Sequence, residues 1–176
     1  GLHVLLRALP RVLASRPTVR LVVAGAGDYL DEARRFVEAH GLSPAVVFAG
    51  AIAHERTPEY LAACDAFVLP TLRLEGVPFA VLEAMACGKP VIVSRIGGVP
   101  SAVRDGENGL LVRPGDHEDL ARTVERLLGD PTLAARLARS ARETVERSYS
   151  VGQMVCGTAD VLERAVRERA RTHART

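Results

Sequence analysis

The sequence of 176 residues contains no tryptophan, and its aromatic residues amount to only 4%. Proteins that bind single-stranded nucleic acid stack the bases on aromatic side chains, so this shortage argues against such a partner. The formal net charge of +2 is also too small for a basic footprint spread over a whole domain. We therefore expect no nucleic-acid partner.

Cysteine is scarce, and the three cysteines, Cys64, Cys87 and Cys156, lie far apart. An odd number without paired spacing argues against a disulfide scaffold and against a zinc site. The histidines show no ligand spacing either, so we expect no metal. His54, a lone histidine in a loop, is expected to be inert.

Long apolar runs are absent. None reaches the roughly 18–20 residues that a membrane-spanning helix needs. The chain has no basic start followed by an apolar core, so it shows no secretory signal, and the cytoplasm is the expected compartment.

What the sequence does contain is a regular alternation of strand and helix patterns, with 48% hydrophobic and 25% charged residues. No hairpin turn separates the strands, so the order predicts a parallel sheet with helices on both faces. Continuous apolar runs indicate strands that are buried on both faces. We expect one domain over residues 1–176, with strands at residues 21–24, 46–48, 66–69, 91–93 and 110–112.

Several helix ends can be predicted from single residues. A first helix spans residues 2–16, and Pro10 should kink or break it. Asp28 is expected to cap the helix that ends at Gly41. Asp116 and Asp130 should cap two helices in the last third of the chain, which is helical throughout.

In open α/β sheets, ligands bind outside the carboxyl ends of the strands. The first such loop is Gly25-Ala26-Gly27, which would suggest a dinucleotide fingerprint. The third glycine of that fingerprint would fall at Leu30, and no acidic residue follows at the next strand end. The loop is therefore either a tight turn or a backbone that approaches a ligand closely.

The third such loop carries two carboxylates, Glu75 and Glu83, eight positions apart. Between them a helix is expected to begin near residues 78–80, and its free N–H groups and dipole would suit a phosphate. Carboxylates accept hydrogen bonds from hydroxyl groups. The combination indicates a ligand that is both anionic and polyhydroxylated, such as a nucleotide sugar.

The run EGVPFAVLEAMACGKP at residues 75–90, with VIVS and GGVP after it, resembles the retaining GT-B-fold glycosyltransferases of family 4, the glycosyl transferases group 1. The segments PTVRLVVAGAGDY, VVFAGAI, CDAFVLPT and DGENGLLVRPGD resemble successive parts of that family's C-terminal, donor-binding domain. The resemblance covers the chain from Gly1 to about Tyr149. It implies an α/β fold: a three-layer, Rossmann-like parallel sheet flanked by helices, forming one lobe of a GT-B fold.

The resemblance also implies an activity and roles for residues. The family transfers a sugar from a nucleotide-diphosphate donor to an acceptor, with retention of configuration and without a metal or other cofactor. Glu75 resembles the glutamate that contacts hydroxyls of the donor sugar, and Glu83 resembles the one that holds the ribose. The remaining donor-binding residues implied are Gly25 and Gly27 for the nucleotide, Ile52 for the base, the loop residues Gly76, Val77 and Pro78, and the backbone of Phe79, Ala80 and Val81 for the distal phosphate.

The sequence departs from the family pattern at several points. Ser101 stands where members usually carry Glu, and Val77-Pro78 replaces the commoner Phe-Gly. The family's first strand, the Arg/Lys loop that clamps the diphosphate and the N-terminal acceptor domain are expected to be missing from this chain. We therefore expect an isolated chain that binds the donor weakly and transfers no sugar.

Two other functions remain open: a lobe of a nucleotide-sugar epimerase, or a non-catalytic nucleotide-binding module. The tail from Val161 to Thr176 holds the chain's excess of basic residues, and it suggests peripheral contact with an anionic membrane in the full protein.

Overall fold

The computed structural model describes the backbone of residues 1–173 and the side chains of residues 1–168. The strands are β1 (Leu21–Ala24), β2 (Val46–Gly50), β3 (Phe67–Leu69), β4 (Val91–Ser94) and β5 (Leu110–Val112). The helices are α1 (Leu2–Ser15), α2 (Leu30–Ala39), α3 (Thr57–Ala63), α4 (Phe79–Ala86), α5 (Val99–Ala102), α6 (His117–Gly129), α7 (Pro131–Ser148) and α8 (Val151–His173). The end of the basic tail, residues 174–176, lies outside the described residues, and membrane contact stays a prediction.

Every strand pairing among the described residues is parallel, which confirms the predicted class of fold. β1 pairs with β2, and β3, β4 and β5 pair in that order. The described strands thus form two parallel sheets, and β1, β2, β3 and β5 each keep one edge without a partner among them.

β4 lies at the centre of a three-layer arrangement. Its Ile92 packs into a cluster with residues of α1 and α6, whereas Val91 and Val93 pack into a cluster with residues of α4 and α7. All four residues of β4 are buried. Helices therefore cover both faces of this strand, as predicted.

The prediction of burial on both faces is wrong for β1. Leu21 and Val23 pack against α1 and α2, but Val22 and its paired neighbour Val47 are 51% and 53% exposed. The physical reason is that α1 and α2 both lie on one face of the β1–β2 pair. Among the described residues, no helix buries the Val22–Val47 face.

The helix ends agree with the sequence in part. Gly41 and Gly88 follow α2 and α4 with positive φ angles of 66° and 65°. Asp116 and Asp130 cap α6 and α7 by accepting hydrogen bonds from main-chain N–H groups.

Asp28 does not cap α2. That helix begins at Leu30, with Tyr29 in the capping position and no side-chain cap.

At Pro10 the predicted break is wrong, because α1 runs without interruption through it, and the alternative of a kink stays a prediction. Pro10 is exposed, while Ala8, Leu9 and Val12 around it are buried. A proline inside a helix removes one hydrogen bond and costs about 3 kcal/mol. The burial of the flanking apolar side chains offsets that cost.

Candidate functional site

The candidate residues lie on loops at the carboxyl ends of β1 to β4 and on the first two turns of α4. The structure joins these loops in pairs through three contacts: Gly25 with Gly50, His54 with Glu83, and Glu75 with Gly98.

The first contact connects the loops after β1 and β2. The Gly25 N–H donates to the Gly50 carbonyl oxygen at 2.8 Å, where the register between the two strands shifts. Gly25 has a φ of 136°, which side chains rarely permit, so its backbone conformation requires glycine. Gly27 has no such φ, and a Cβ there would meet no described atom within 4 Å. Packing among the described residues therefore does not explain Gly27.

The second contact connects the loop after β2 with α4. Ile52 is half-buried, and the chain then forms a short 3-10 turn at His54–Arg56. His54 Nδ1 lies 3.7 Å from Glu83 Oε1, and the side chains are 80% and 34% exposed. The sequence offered no signal for this contact, because the two residues lie far apart along the chain.

The N-terminus of α4 is open to solvent. Pro78 is extended and occupies the capping position without a side-chain cap, and Phe79 is 78% exposed. The Val81 N–H donates to the Pro78 carbonyl oxygen at 3.0 Å, and Val81 itself is fully buried. Among the described residues, no acceptor is assigned to the N–H groups of Phe79 and Ala80. The helix end therefore presents two donors, together with its positive dipole, to an anion.

Glu75 lies on the exposed loop between β3 and α4. Its Oε1 accepts a hydrogen bond from the Thr71 hydroxyl at 3.3 Å, and that hydroxyl accepts one from the Arg73 N–H at 3.2 Å. Thr71 is 8% exposed, so the carboxylate is attached to a nearly buried anchor. Sequence reasoning missed Thr71, because a single threonine after a strand carries no distinctive pattern.

The third contact fixes the backbone of the same loop. The Glu75 carbonyl oxygen accepts a hydrogen bond from the Gly98 N–H at 2.8 Å. The Gly98 carbonyl in turn accepts one from the Ser101 hydroxyl at 2.6 Å. Ser101, the departure noted above, thus holds the Gly97–Gly98 turn, and the turn holds the Glu75 loop.

Ser94, at the end of β4, is a further polar residue near these loops. It is fully buried, and its hydroxyl has no hydrogen-bond partner among the described residues. The described residues include no group of three or more His, Cys, Asp or Glu side chains that could hold a metal ion.

Taken together, two carboxylates and two backbone donors are presented at one end of the fold. Carboxylates can accept hydrogen bonds from sugar hydroxyls, and the helix end can hold phosphate oxygens. Within the described part of the chain, no helix is both long enough and apolar enough to cross a bilayer.

Comparison with protein families gives a match to the model of the glycosyl transferases group 1 over residues 1–144. Among curated proteins, the chain is 36% identical over 148 residues to a GDP-mannose-dependent alpha-(1-6)-phosphatidylinositol monomannoside mannosyltransferase of Mycolicibacterium smegmatis. That alignment covers 81% of this chain and 39% of the relative. The chain is also 36% identical over 171 residues to a glycogen synthase of Mycobacterium tuberculosis, covering 95% of this chain and 40% of the relative. The chain thus spans about two fifths of these relatives.

Comparison with solved structures gives the same family. The crystal structure of Anabaena Alr3699/HepE in complex with UDP and glucose superposes with a TM-score of 0.85 at 30% identity, over 93% of this chain and 44% of that one. The C-terminal domain of the glycosyl transferase group 1 family protein LpcC from Francisella tularensis superposes with a TM-score of 0.77 at 29% identity. This second alignment covers 86% of this chain and 80% of that domain.

Proposed function

Since the chain belongs to the glycosyl transferases group 1 family, we propose that it is the donor-binding lobe of a retaining glycosyltransferase. The donor is a nucleotide-diphosphate sugar. The observation that carries the proposal is the open N-terminus of α4, with two unused backbone donors and a carboxylate on each side along the chain.

Each part of the donor has a partner in this proposal. The distal phosphate accepts from the N–H groups of Phe79 and Ala80, since the Val81 N–H is occupied within the helix. Glu75 accepts from the sugar hydroxyls, and Glu83 accepts from the ribose hydroxyls. The nucleotide lies along the remaining residues, which are Gly25, Gly27, Ile52 and the loop Gly76, Val77 and Pro78.

These contacts also suggest how the lobe takes part in transfer. When the bond from sugar to phosphate breaks, negative charge develops on the leaving diphosphate. Preorganised N–H donors at the end of α4 stabilise that charge without having to reorient. Glu75 holds the sugar, and no step requires a metal or other cofactor.

The acceptor site and the rest of the phosphate clamp belong to an N-terminal lobe in this proposal. The support is that the chain spans only about two fifths of its curated relatives. We therefore propose that the 176-residue chain alone binds donor weakly and transfers no sugar. The three cysteines are free, which suits the reducing cytoplasm.

The base of the donor can be narrowed by experiment. One relative is named for GDP-mannose, and one similar structure contains UDP and glucose. Calorimetric titration of the chain with UDP-glucose, GDP-mannose and ADP-glucose is expected to show that one of them binds more tightly than its own nucleoside diphosphate.

Glu75→Ala is expected to weaken binding of that nucleotide sugar about tenfold, because a hydrogen bond to a charged group is lost. Its affinity should then equal the affinity for the corresponding nucleoside diphosphate. Glu59→Ala is the matched control, because Glu59 is an exposed acid on α3 whose ion pair is with Arg56. Equal affinity of the wild type and Glu75→Ala for every nucleotide sugar would contradict the proposal and favour a module that reads only the nucleotide.

A further inference from the structure

We propose that the Gly97–Gly98 turn, tied to the end of α7 through Ser101 and Tyr149, positions the Glu75 carboxylate and thereby sets how tightly the donor sugar is held. The inference rests on the proposed function, because it concerns the same carboxylate. It assigns a positioning role to four residues that contact no part of the donor in the proposed function: Gly97, Gly98, Ser101 and Tyr149.

The two glycines allow one backbone to lie directly on another. A Cβ built on Gly97 would lie 2.3 Å from the Glu75 carbonyl oxygen and 3.0 Å from its nitrogen. A Cβ on Gly98 would lie 2.9 Å from the Gly76 carbonyl carbon. These distances are shorter than non-bonded contacts allow, so a side chain at either position must push the Glu75–Gly76 segment away.

The close approach creates a directional bond as well as a contact. The Gly98 N–H donates to the Glu75 carbonyl oxygen at 2.8 Å. This bond holds the Glu75 backbone against the turn that follows β4. The Thr71 hydroxyl holds the carboxylate of the same residue at 3.3 Å. Glu75 is therefore held at both ends, and a displacement of Gly98 would move its backbone relative to Thr71.

The turn is itself anchored on the far side. The Ser101 hydroxyl donates to the Gly98 carbonyl oxygen at 2.6 Å, and the Tyr149 hydroxyl donates to the Ser101 carbonyl oxygen at 3.0 Å. Tyr149 is the C-cap residue of α7 and directly follows its last residue, Ser148. A continuous series of bonds thus runs from α7 through Ser101 and Gly98 to Glu75.

Helix α7 also contacts α4, which carries the second carboxylate, Glu83, and the backbone donors of the site. Tyr149 packs against the same apolar cluster as the buried Val81 of α4. The same helix α7 therefore packs on α4, which carries Glu83, and is bonded through Tyr149 to the turn that holds the Glu75 backbone.

Gly98→Ala tests the device most sharply. Gly98 has a φ of −81°, so alanine needs no unusual backbone there, and the change acts only through the contact with Gly76. Gly157→Ala is the matched control, because a Cβ at Gly157 meets nothing within 4 Å.

We expect Gly98→Ala to weaken binding of the preferred nucleotide sugar about tenfold and binding of its diphosphate less than twofold. Combining it with Glu75→Ala should cause no further loss of affinity, because both changes remove the same interaction, the one between the Glu75 carboxylate and the donor sugar.

Tyr149→Phe is the milder variant and carries the test if Gly98→Ala does not fold. It removes one hydroxyl, and it should weaken binding of the sugar nucleotide about threefold without a change for the diphosphate. Equal weakening for both ligands would show a general loss of structure and overturn the inference. Affinities of Gly98→Ala and Tyr149→Phe that match the wild type would overturn it as well.

Amide NMR spectra of the free chain separate this inference from the proposed function. If the wild type binds no nucleotide sugar, the proposed function fails, but the positioning can still be measured. Gly98→Ala and Tyr149→Phe should then shift the amides of Glu75 and Gly76 and speed hydrogen exchange at those sites, whereas Gly157→Ala should not. Unchanged Glu75 and Gly76 amides would overturn the positioning.

Discussion

His54 Nδ1 and Glu83 Oε1 lie 3.7 Å apart, and this contact joins the loop after β2 to the second turn of α4. His54 is charged in this pair only when it is protonated. The histidine is 80% exposed and the carboxylate 34%, so the carboxylate is the more buried partner of the two. The contact places an imidazole beside the carboxylate that we assign to the ribose.

The first prediction compares the contributions of Glu83 and His54 to nucleotide binding. Glu83→Ala should weaken binding of the preferred donor's nucleoside diphosphate about tenfold, because the ribose loses a charged acceptor. His54→Ala should change it by no more than about threefold, since exposed ion pairs contribute little. Calorimetry on both variants checks this. A larger loss in His54→Ala than in Glu83→Ala would assign nucleotide recognition to the imidazole.

The second prediction concerns the backbone donors of α4. Phe79→Pro removes one N–H group at the first helical position, where proline is tolerated, and the extended Pro78 before it is compatible with a following proline. We expect α4 to remain folded and the affinity for the nucleoside diphosphate of the preferred donor to fall about tenfold, because a bond to phosphate is lost. Phe79→Ala is the control: it removes a side chain that is 78% exposed but keeps the N–H. The idea fails if Phe79→Pro binds that diphosphate as tightly as Phe79→Ala and the wild type do.

The third prediction concerns thiol reactivity. Burial raises the pKa of the Cys64 thiol, only partly countered by the positive charge of Lys89. A raised pKa lowers the thiolate fraction near neutral pH, and the thiolate is the reactive form. Cys64 should therefore react with iodoacetamide more slowly than the exposed Cys156, and mass spectrometry of peptides after timed labelling measures this. In urea the two rates should converge, whereas equal rates in the native chain would contradict the burial of Cys64.

The fourth prediction concerns stability. Asp130 accepts a hydrogen bond from the Leu133 N–H at 2.9 Å at the start of α7, the helix that anchors the Glu75 loop. Asp130→Ala should lower the free energy of unfolding by about 0.5–2 kcal/mol, the usual cost of a lost cap. Asp130→Asn should retain most of it, because asparagine also caps well. Urea denaturation of the three proteins is the measurement, and indistinguishable midpoints for Asp130→Ala and the wild type would show that the cap contributes nothing.

The fold could be predicted from the sequence where local chemistry decides the structure. Gly41 and Gly88 follow helix ends with a positive φ, which glycine adopts without steric cost, and Asp116 and Asp130 cap helices because their side chains reach nearby N–H groups. The Val22 face could not be predicted in the same way. Its exposure depends on which helices cover the sheet, and that is decided by distant parts of the chain.

The candidate site divides along the same line. Glu75, Glu83 and the start of α4 between them are continuous in sequence, so the place of the helix start could be predicted from the sequence. The contact between Gly98 and Glu75 joins two loops separated by α4 and β4, and no spacing rule predicts it. Ser101 looked like a loss relative to the family pattern, whereas in the structure its hydroxyl holds the turn on which Glu75 rests.

The central claim is that the open end of α4 receives the diphosphate of a nucleotide sugar. The most direct test is amide NMR of the labelled chain during titration with UDP-glucose, GDP-mannose and ADP-glucose. The account predicts that at least one of them shifts the amides of Phe79 and Ala80 most strongly, with smaller shifts at Gly25, Gly27 and Glu75. The account is contradicted if saturating additions of all three leave the Phe79 and Ala80 amides unshifted, or shift only residues of α8.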